Sequence, residues 1–179
     1  MKISSKVKQL IPILAIVATC TCLGLHLGLS FGPASLEKVS IVDSGDGWVV
    51  KGDLYVPRFK AAPLPAVILS HGDGADRSQM TPIATAIAEK GIMVLNIDLS
   101  GYGESPNLWS PANHLRDYNA SYNYLASRSD VSIPLISAAG FSRGGEAALW
   151  SPTVVPVKNV ASLGYTWDSY AFNSSYPAN

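Results

Sequence analysis

Short, continuous apolar runs that alternate with helical stretches constrain this chain more than any other feature. The runs over 66–70, 92–98 and 133–140 show no polar alternation, which is typical of strands buried on both faces. Apolar residues at helical spacing fill 80–91 and 114–127 between them, and a third helix is predicted to follow the last run. Strands that alternate with helices imply a mostly parallel sheet with helices on both faces.

Two more strands are predicted before these runs and one after them. The segments 38–43 and 48–57 are rich in β-branched residues and are joined by Ser-Gly-Asp-Gly, so they form a hairpin. The segment 157–165 is the last predicted strand. The fold class is therefore α/β: an N-terminal β-hairpin followed by a mostly parallel sheet with helices on both faces, with about six strands.

The first 34 residues resemble a targeting segment and not a part of the fold. Lysines precede an apolar run over 10–29, and small and polar residues follow it, which is the pattern of an export signal. The run has about 20 residues, so an uncleaved membrane anchor is the alternative. We expect a signal peptide or anchor over 1–34, a domain over 35–179, membrane contact only through the N-terminal segment, and a secreted, periplasmic or membrane-anchored location.

Composition excludes several classes of function. Lys plus Arg and Asp plus Glu both number 13, so the chain lacks the positive surplus that binds nucleic acid. Both cysteines, Cys20 and Cys22, lie in the N-terminal run, which leaves no thiolate in the domain. The histidines show no metal-ligand spacing, and no glycine-rich phosphate loop follows the first parallel strand. We expect no metal and no cofactor.

The sequence Gly140-Phe141-Ser142-Arg143-Gly144 stands between a buried strand and a helix. It is a G-x-S-x-G motif in a strand–turn–helix context, where the sharp turn strains the backbone of the serine and leaves no room for side chains at the glycines. The hydroxyl then lies at the carboxyl end of the sheet and at a helix N-terminus, where negative charge is stabilised. Ser142 is the predicted nucleophile.

The sequence HGDG, at residues 71–74, directly follows the first of the buried strands. Loops at the carboxyl ends of strands are where α/β sheets bind ligands. The backbone amide of Asp73, together with that of Arg143, is therefore predicted to form an oxyanion hole for a tetrahedral intermediate.

These motifs resemble those of the α/β-hydrolase superfamily, in particular its dienelactone-hydrolase-like and acyl-peptidase-like serine esterases. The resemblance covers about Val39 to Tyr165 and rests on "LYVP" followed by "PAVILSHGDG", on "IAEKGIMVLNIDLSGYGES" and on "DYNASYNYLASRSDVSIPLISAAGFSRGG". It implies Ser142 as nucleophile, the amides of Asp73 and Arg143 as oxyanion donors, and a small ester or acyl compound as substrate. It also implies that the histidine of HGDG holds its loop and that "DLSGYGES" is a structural element that forms part of the pocket wall, without a chemical role.

The resemblance further implies a histidine after the nucleophile, which this sequence lacks. In this fold the triad runs Ser, acid, His along the chain, whereas His26, His71 and His114 all precede Ser142. His114 is expected on the surface or at a helix start. Asp168 follows the last strand and is the candidate acid, although an ordinary loop aspartate is the simpler interpretation. The sequence thus predicts a partial α/β-hydrolase fold that ends before the acid and histidine segments.

Two functions remain as alternatives. The first is serine-dependent hydrolysis of carboxylic esters or related acyl compounds, inactive or weak in this chain because no base follows the nucleophile. The second is a non-catalytic, hydrolase-like binding scaffold or a non-functional fragment. A fluorophosphonate probe, which reacts with activated serines, separates the two.

Overall fold

The structure is a computed structural model that describes residues 34–43 and 45–164. Six strands form one sheet in the order β1-β2-β4-β3-β5-β6. Their bounds are β1 Ala34–Val42, β2 Val49–Pro57, β3 Leu64–Ser70, β4 Met93–Ile97, β5 Val131–Phe141 and β6 Val160–Leu163.

The pairing of the strands confirms the predicted α/β class. β1 and β2 form an antiparallel hairpin, and β2 joins the rest of the sheet antiparallel to β4. β4, β3, β5 and β6 are parallel to one another. An N-terminal hairpin therefore extends a four-stranded parallel sheet.

Three helices connect the parallel strands and cover both faces of the sheet. Their bounds are α1 Thr81–Glu89, α2 Pro111–Ala126 and α3 Arg143–Trp150, with short 3₁₀ turns at Arg77–Met80 and Ser151–Thr153. α1 packs on one face and α2 and α3 pack on the other, as the alternation of buried side chains along β3 shows. Val67 and Leu69 contact the α1 layer, whereas Ala66 and Ile68 belong to the larger core under α2 and α3.

The boundaries of several elements differ by a few residues from those predicted. α2 begins at Pro111, three residues before the predicted start, because the Ser110 hydroxyl accepts a hydrogen bond from the Asn113 amide at 3.0 Å and caps the helix. Serine followed by proline is a helix-start signal that the apolar spacing alone does not reveal. β6 is shorter than predicted and spans only Val160–Leu163.

The register of the parallel strands brings three loops together. Ser70 at the end of β3 lies beside both Ile97 of β4 and Gly140 of β5, and Gly140 in turn lies beside Ser162 of β6. The carboxyl ends of the parallel strands therefore meet at one edge. The residues that follow them form the candidate site.

Candidate active site

The turn from β5 into α3 has the strained geometry that the serine motif predicts. Ser142 has φ 50° and ψ −113°, and it is the one non-glycine residue with positive φ among residues 34–43 and 45–164. Such a conformation costs an L-residue about 1–3 kcal/mol and persists only where its surroundings impose it. Ser142 is half-buried and its hydroxyl does not cap its own helix. The hydroxyl is thus not committed to the start of α3.

Close backbone contacts impose this turn and explain its glycines. A methyl group on Gly140 would lie 2.7 Å from the Ser70 hydroxyl, and one on Gly144 would lie 2.6 Å from the Ser70 carbonyl oxygen. A methyl group on Gly145 would lie 2.5 Å from the Ser162 hydroxyl. Any side chain at these three positions would push α3 away from β3 and β6.

Two buried hydroxyls support the turn from below. The Ser70 and Tyr118 hydroxyls lie 2.7 Å apart, and one of them donates to the other. The hydroxyl that accepts in this pair donates to a carbonyl of its own, which is Gly144 at 3.3 Å for Ser70 or Ala139 at 3.0 Å for Tyr118. Sequence analysis missed this pair. The available signal was a serine that ends a fully apolar strand.

The loop at 71–74 packs directly against the serine turn. The His71 carbonyl oxygen blocks the space at Gly144, and a methyl group on Gly72 would lie 3.1 Å from the Phe141 ring. The structure therefore brings residues 71 and 72 next to Gly144 and Phe141, on either side of Ser142. Asp73 follows them on the exposed side. Within the described ranges, no oxygen accepts a hydrogen bond from the Asp73 amide.

His71 holds this loop and is not a base. Its Nε2 accepts a hydrogen bond from the Leu99 amide at 3.1 Å, so Nδ1 carries the proton and donates to the Gly72 carbonyl at 2.8 Å. Burial lowers the pKa of His71, and hence the ring is neutral at physiological pH. The Gly72 amide donates to the Gln79 side chain at 2.8 Å and fixes the loop a second time.

His114 is fully buried, and the expectation that places it on the surface is wrong. It lies in the first turn of α2, where its Nε2 donates to the Ser100 carbonyl at 3.1 Å. Its Nδ1 is buried without a hydrogen-bond partner in the described part of the chain. Burial lowers the pKa of His114 to about 4. The ring faces aromatic side chains, and therefore the surrounding loops cover it.

Aromatic side chains form the rim of the site. Tyr102 contacts the edge of the His71 ring at 5.3 Å, and Trp109 contacts the His114 ring at 5.9 Å. The Arg143 guanidinium lies 5.9 Å from the centre of the Trp109 ring and pairs with the buried Glu146 carboxylate. Burial raises the pKa of Tyr102, and its hydroxyl donates to the Asp73 carboxylate.

Buried carboxylates hold the loop over 98–105, the segment "DLSGYGES". The Asp98 carboxylate accepts from the Arg77 amide and the Glu104 amide, each at 2.8 Å, and pairs with the Arg77 guanidinium. The Asp117 carboxylate accepts from the Ser100 amide and hydroxyl, both at 2.7 Å, and from Trp48 Nε1 at 2.9 Å.

These carboxylates escaped sequence analysis. Burial raises the pKa of Asp117 to about 7 despite its three donors. The signal for Asp117 was an acidic residue between His114 and Tyr118 on the buried side of α2. The expectation that "DLSGYGES" is structural fits these bonds, which anchor the loop to α2 and to the segment before α1.

Several sequence predictions lie outside the described residues. Asp168, the candidate acid, is one, and the N-terminal segment 1–34 is described only at its last residue. Over residues 34–43 and 45–164, no cluster of three or more His, Cys, Asp or Glu side chains has the arrangement of a metal site. No helix in the same ranges combines the length and the apolar character that crossing a membrane requires.

Comparison with known sequences gives partial matches. No protein-family model matches the chain. An uncharacterized protein of Mycobacterium tuberculosis is 32% identical over 109 residues, which are 61% of this chain and 38% of that protein. Acyl-coenzyme A thioesterase 1 of Homo sapiens is 29% identical over 100 residues, which are 56% of this chain and 23% of the thioesterase. The chain thus spans less than half of either relative.

Solved structures match the fold. A hypothetical protein from Pseudomonas aeruginosa superposes with a TM-score of 0.66 at 28% identity, over 75% of this chain and 43% of the other. EstE1, a thermostable carboxylesterase from a metagenomic library, gives 0.61 at 25% identity, over 77% and 49%. A dienelactone hydrolase-like phosphotriesterase from metagenomic libraries gives 0.62 at 19% identity, over 74% and 59%.

The six-stranded sheet and its helices superpose on these solved structures over about three quarters of this chain. The similarity to proteins with hydrolase names also agrees with the resemblance carried by the sequence motifs. The chain therefore has a partial α/β-hydrolase fold, of the kind found in dienelactone hydrolase-like proteins and α/β-hydrolase esterases.

Proposed function

We propose that this chain carries the nucleophile and oxyanion hole of a serine hydrolase that acts on carboxylic esters or related acyl compounds. The observation that carries the proposal is the backbone of Ser142, held at φ 50° between β5 and α3 beside the loop over 71–74. Strain of this kind in a non-glycine residue is concentrated at functional sites. The relatives named as thioesterase and carboxylesterase support an acyl substrate.

The mechanism begins with attack of Ser142 Oγ on the substrate carbonyl carbon, while the hydroxyl proton passes to water, which later protonates the leaving group. The carbonyl oxygen gains the negative charge of the tetrahedral intermediate, and the amides of Asp73 and Arg143 donate hydrogen bonds to it. Collapse expels the alcohol or thiol, which takes a proton, and leaves an acyl-enzyme on Ser142. Attack by water then releases the acid and restores the hydroxyl.

In this proposal, the rate is limited because no described side chain is placed to accept the Ser142 proton. Both nitrogens of His71 are engaged, and His114 has a pKa of about 4 and lies under aromatic side chains. Neither is arranged to take the Ser142 proton. Enzymes of this type that lack triad members keep about 10³–10⁴-fold catalysis over water from the oxyanion hole and binding alone. We expect slow turnover of activated esters by this chain.

A fluorophosphonate probe tests the proposal. Attack by Ser142 forms a bond from Oγ to phosphorus, fluoride leaves with the bonding electrons, and the hydroxyl proton passes to water. Intact-mass analysis should show one phosphonyl group per chain. Ser142→Ala should abolish the adduct, and Ser127→Ala, a matched control at the exposed end of α2, should leave it unchanged. An adduct that survives Ser142→Ala would refute the assignment.

A non-catalytic binding scaffold is the second candidate. The observation that favours it is that both described histidines are buried and occupied by structural contacts. Folded protein that takes up no probe over hours, while a small ester still protects the loop over 71–74 from hydrogen exchange, would favour this candidate over hydrolysis.

We further propose that residues 1–34 direct export or membrane anchoring of the domain. The basic residues before the apolar run over 10–29 support this. A fusion of residues 1–34 to an alkaline phosphatase that is active only after export tests it in a bacterial host. Activity equal to that of a leaderless fusion would contradict the proposal.

A further inference from the structure

We propose that Tyr102 is a positioning residue of the oxyanion hole, because its hydroxyl holds Asp73 and thereby fixes the loop whose amide receives the negative charge. The proposal rests on the proposed function, since it concerns the same site. It gives a role in the reaction to the segment "DLSGYGES", which sequence analysis treats as structural.

Tyr102 contacts the HGDG loop at two points. Its hydroxyl donates a hydrogen bond to the Asp73 carboxylate, and its ring makes a T-shaped contact with the His71 ring, with ring centres 5.3 Å apart and an interplanar angle of 83°. Among the described residues, Tyr102 is the only hydrogen-bond partner of the Asp73 side chain. The contact therefore joins the loop after β3 to the loop after β4.

Asp73 benefits from such a tether because it lies at the exposed tip of its loop. Gly72, one residue earlier, is fixed by side-chain hydrogen bonds, and the Ala75 amide closes the turn by donating to the Gly72 carbonyl at 3.4 Å. Gly74, with φ 69°, has open space around it. In the part of the chain that the structure describes, Tyr102 is the residue that restrains the Asp73 side chain at this tip.

The loop that carries Tyr102 is rigid enough to act as an anchor. Gly101 and Gly103 have φ 89° and 55°. A methyl group on Gly101 would lie 2.5 Å from Trp109 Cβ, and one on Gly103 would lie 2.5 Å from Asp98 Oδ1. The Tyr102 amide donates to the Leu99 carbonyl at 3.0 Å. Two tight glycine positions thus present the tyrosine towards the HGDG loop from a fixed backbone.

The tether should affect how well the Asp73 N–H is aligned with the charged oxygen. An oxyanion donor works when its N–H lies about 2.7–3.1 Å from the charged oxygen, and loss of one donor costs about 10²–10³ in kcat. A loosened donor costs less, because it still reaches the oxygen part of the time. We therefore expect Tyr102→Phe to slow phosphonylation of Ser142 about tenfold.

Hydrogen–deuterium exchange of the full chain tests the tether without any need for activity. Tyr102→Phe should speed exchange of the Gly72 and Ala75 amides, which are hydrogen-bonded within the loop, about fivefold, which is the factor one net hydrogen bond contributes to a local equilibrium. Tyr124→Phe is the matched control, because it removes a hydroxyl that accepts from Arg128 at the far end of α2. Unchanged exchange at 72–75 in Tyr102→Phe would overturn the proposal.

A double-mutant cycle tests whether Tyr102 acts through Asp73. Asp73→Ala removes the carboxylate but keeps the backbone amide that is the proposed donor. Each single variant should slow phosphonylation, and the double variant should be no slower than the slower single one. Asp73→Asn, which keeps a side-chain oxygen, should restore part of the rate.

Additive losses in the cycle, or a rate in Tyr102→Phe equal to that of Tyr124→Phe, would refute the positioning role. If the wild-type chain takes up no probe, the proposed catalytic function fails, whereas the exchange experiment still decides whether Tyr102 restrains the loop. The two failures are therefore distinguishable.

Discussion

The serine turn and the loop over 98–105 lie at the same edge of the sheet, on either side of the loop over 71–74, yet different forces hold them. Small residues and backbone contacts fix the serine turn, where methyl groups on Gly140, Gly144 or Gly145 would collide with neighbouring atoms. Buried charges fix the loop, through Asp98 and Asp117. Steric fit holds the serine turn, and electrostatic contacts hold the loop over 98–105. Different substitutions should therefore destabilise the two regions.

The largest expected loss of stability comes from a substitution in the loop over 98–105. Asp98→Asn removes the one fully buried carboxylate among the three that pair with Arg77, while Asp53 and Glu104 remain. We therefore expect a loss of about 3 kcal/mol of unfolding free energy, the lower limit for a broken buried pair, measured by denaturant titration. Asp130→Asn breaks the partly exposed pair with Arg128 and serves as the control, with a cost below about 1 kcal/mol. Equal losses in the two variants would remove the distinction between the regions.

Steric crowding at its glycines should destabilise the serine turn. Gly144→Ala places a methyl group against backbone oxygens that cannot move aside as a side chain can, which should cost about 3 kcal/mol and abolish phosphonylation of Ser142. Gly45→Ala is the control, since its methyl group would meet only the end of the Asp43 side chain, at 3.3 Å. A Gly144→Ala protein as stable and as reactive as Gly45→Ala would show that shape does not define the turn.

The pH dependence of stability should report the buried Asp117. Burial raises its pKa from 3.8 to about 7, so the folded protein holds the proton more tightly and this group lowers the unfolding free energy as pH rises from about 4 to 7. His114, with its pKa lowered from 6.5 to about 4, has the opposite effect: it lowers stability as pH falls through that window. The two slopes oppose each other in the wild-type protein.

Asp117→Asn should therefore leave the pH dependence of the unfolding free energy that His114 contributes. Denaturant titrations at pH 4.5 and 6.5 should show stability rising with pH more steeply than in the wild type, by on the order of 1–2 kcal/mol. Asp46→Asn changes an exposed carboxylate and should keep the wild-type slope. An Asp117→Asn slope no steeper than that of the wild type would contradict the environment described for Asp117.

The smallest expected effect is relief of backbone strain at the nucleophile. Glycine tolerates φ 50° without steric cost, whereas alanine keeps the strain and likewise lacks the hydroxyl. Ser142→Gly should therefore be more stable than Ser142→Ala by about 1 kcal/mol. Equal melting temperatures for the two variants would indicate that the turn is relaxed in solution.

The same contrast explains what the sequence could and could not predict. The serine turn follows from neighbouring residues, because glycines at fixed offsets between a strand and a helix leave few other backbone paths. The predicted sheet, hairpin and order of elements also follow from local patterns. The fixation of the loop does not, because Asp98 and Arg77 lie 21 residues apart and Asp117 and Ser100 lie 17 apart.

His114 shows the same limit. Its position at a helix start follows from local sequence, but its burial depends on Tyr102 and Trp109, which lie in the segment between β4 and α2 and pack against the ring. A single histidine at the beginning of a polar helix turn carries no signal that distinguishes a covered ring from an exposed one. Only the folded path of the preceding segment decides it.

A crystal structure of the phosphonylated chain tests the central claim most directly. The account predicts phosphorus bonded to Ser142 Oγ, with one phosphonyl oxygen about 2.7–3.1 Å from the backbone nitrogens of both Asp73 and Arg143. It would be contradicted by a phosphonyl oxygen directed to solvent, with neither amide within hydrogen-bond distance.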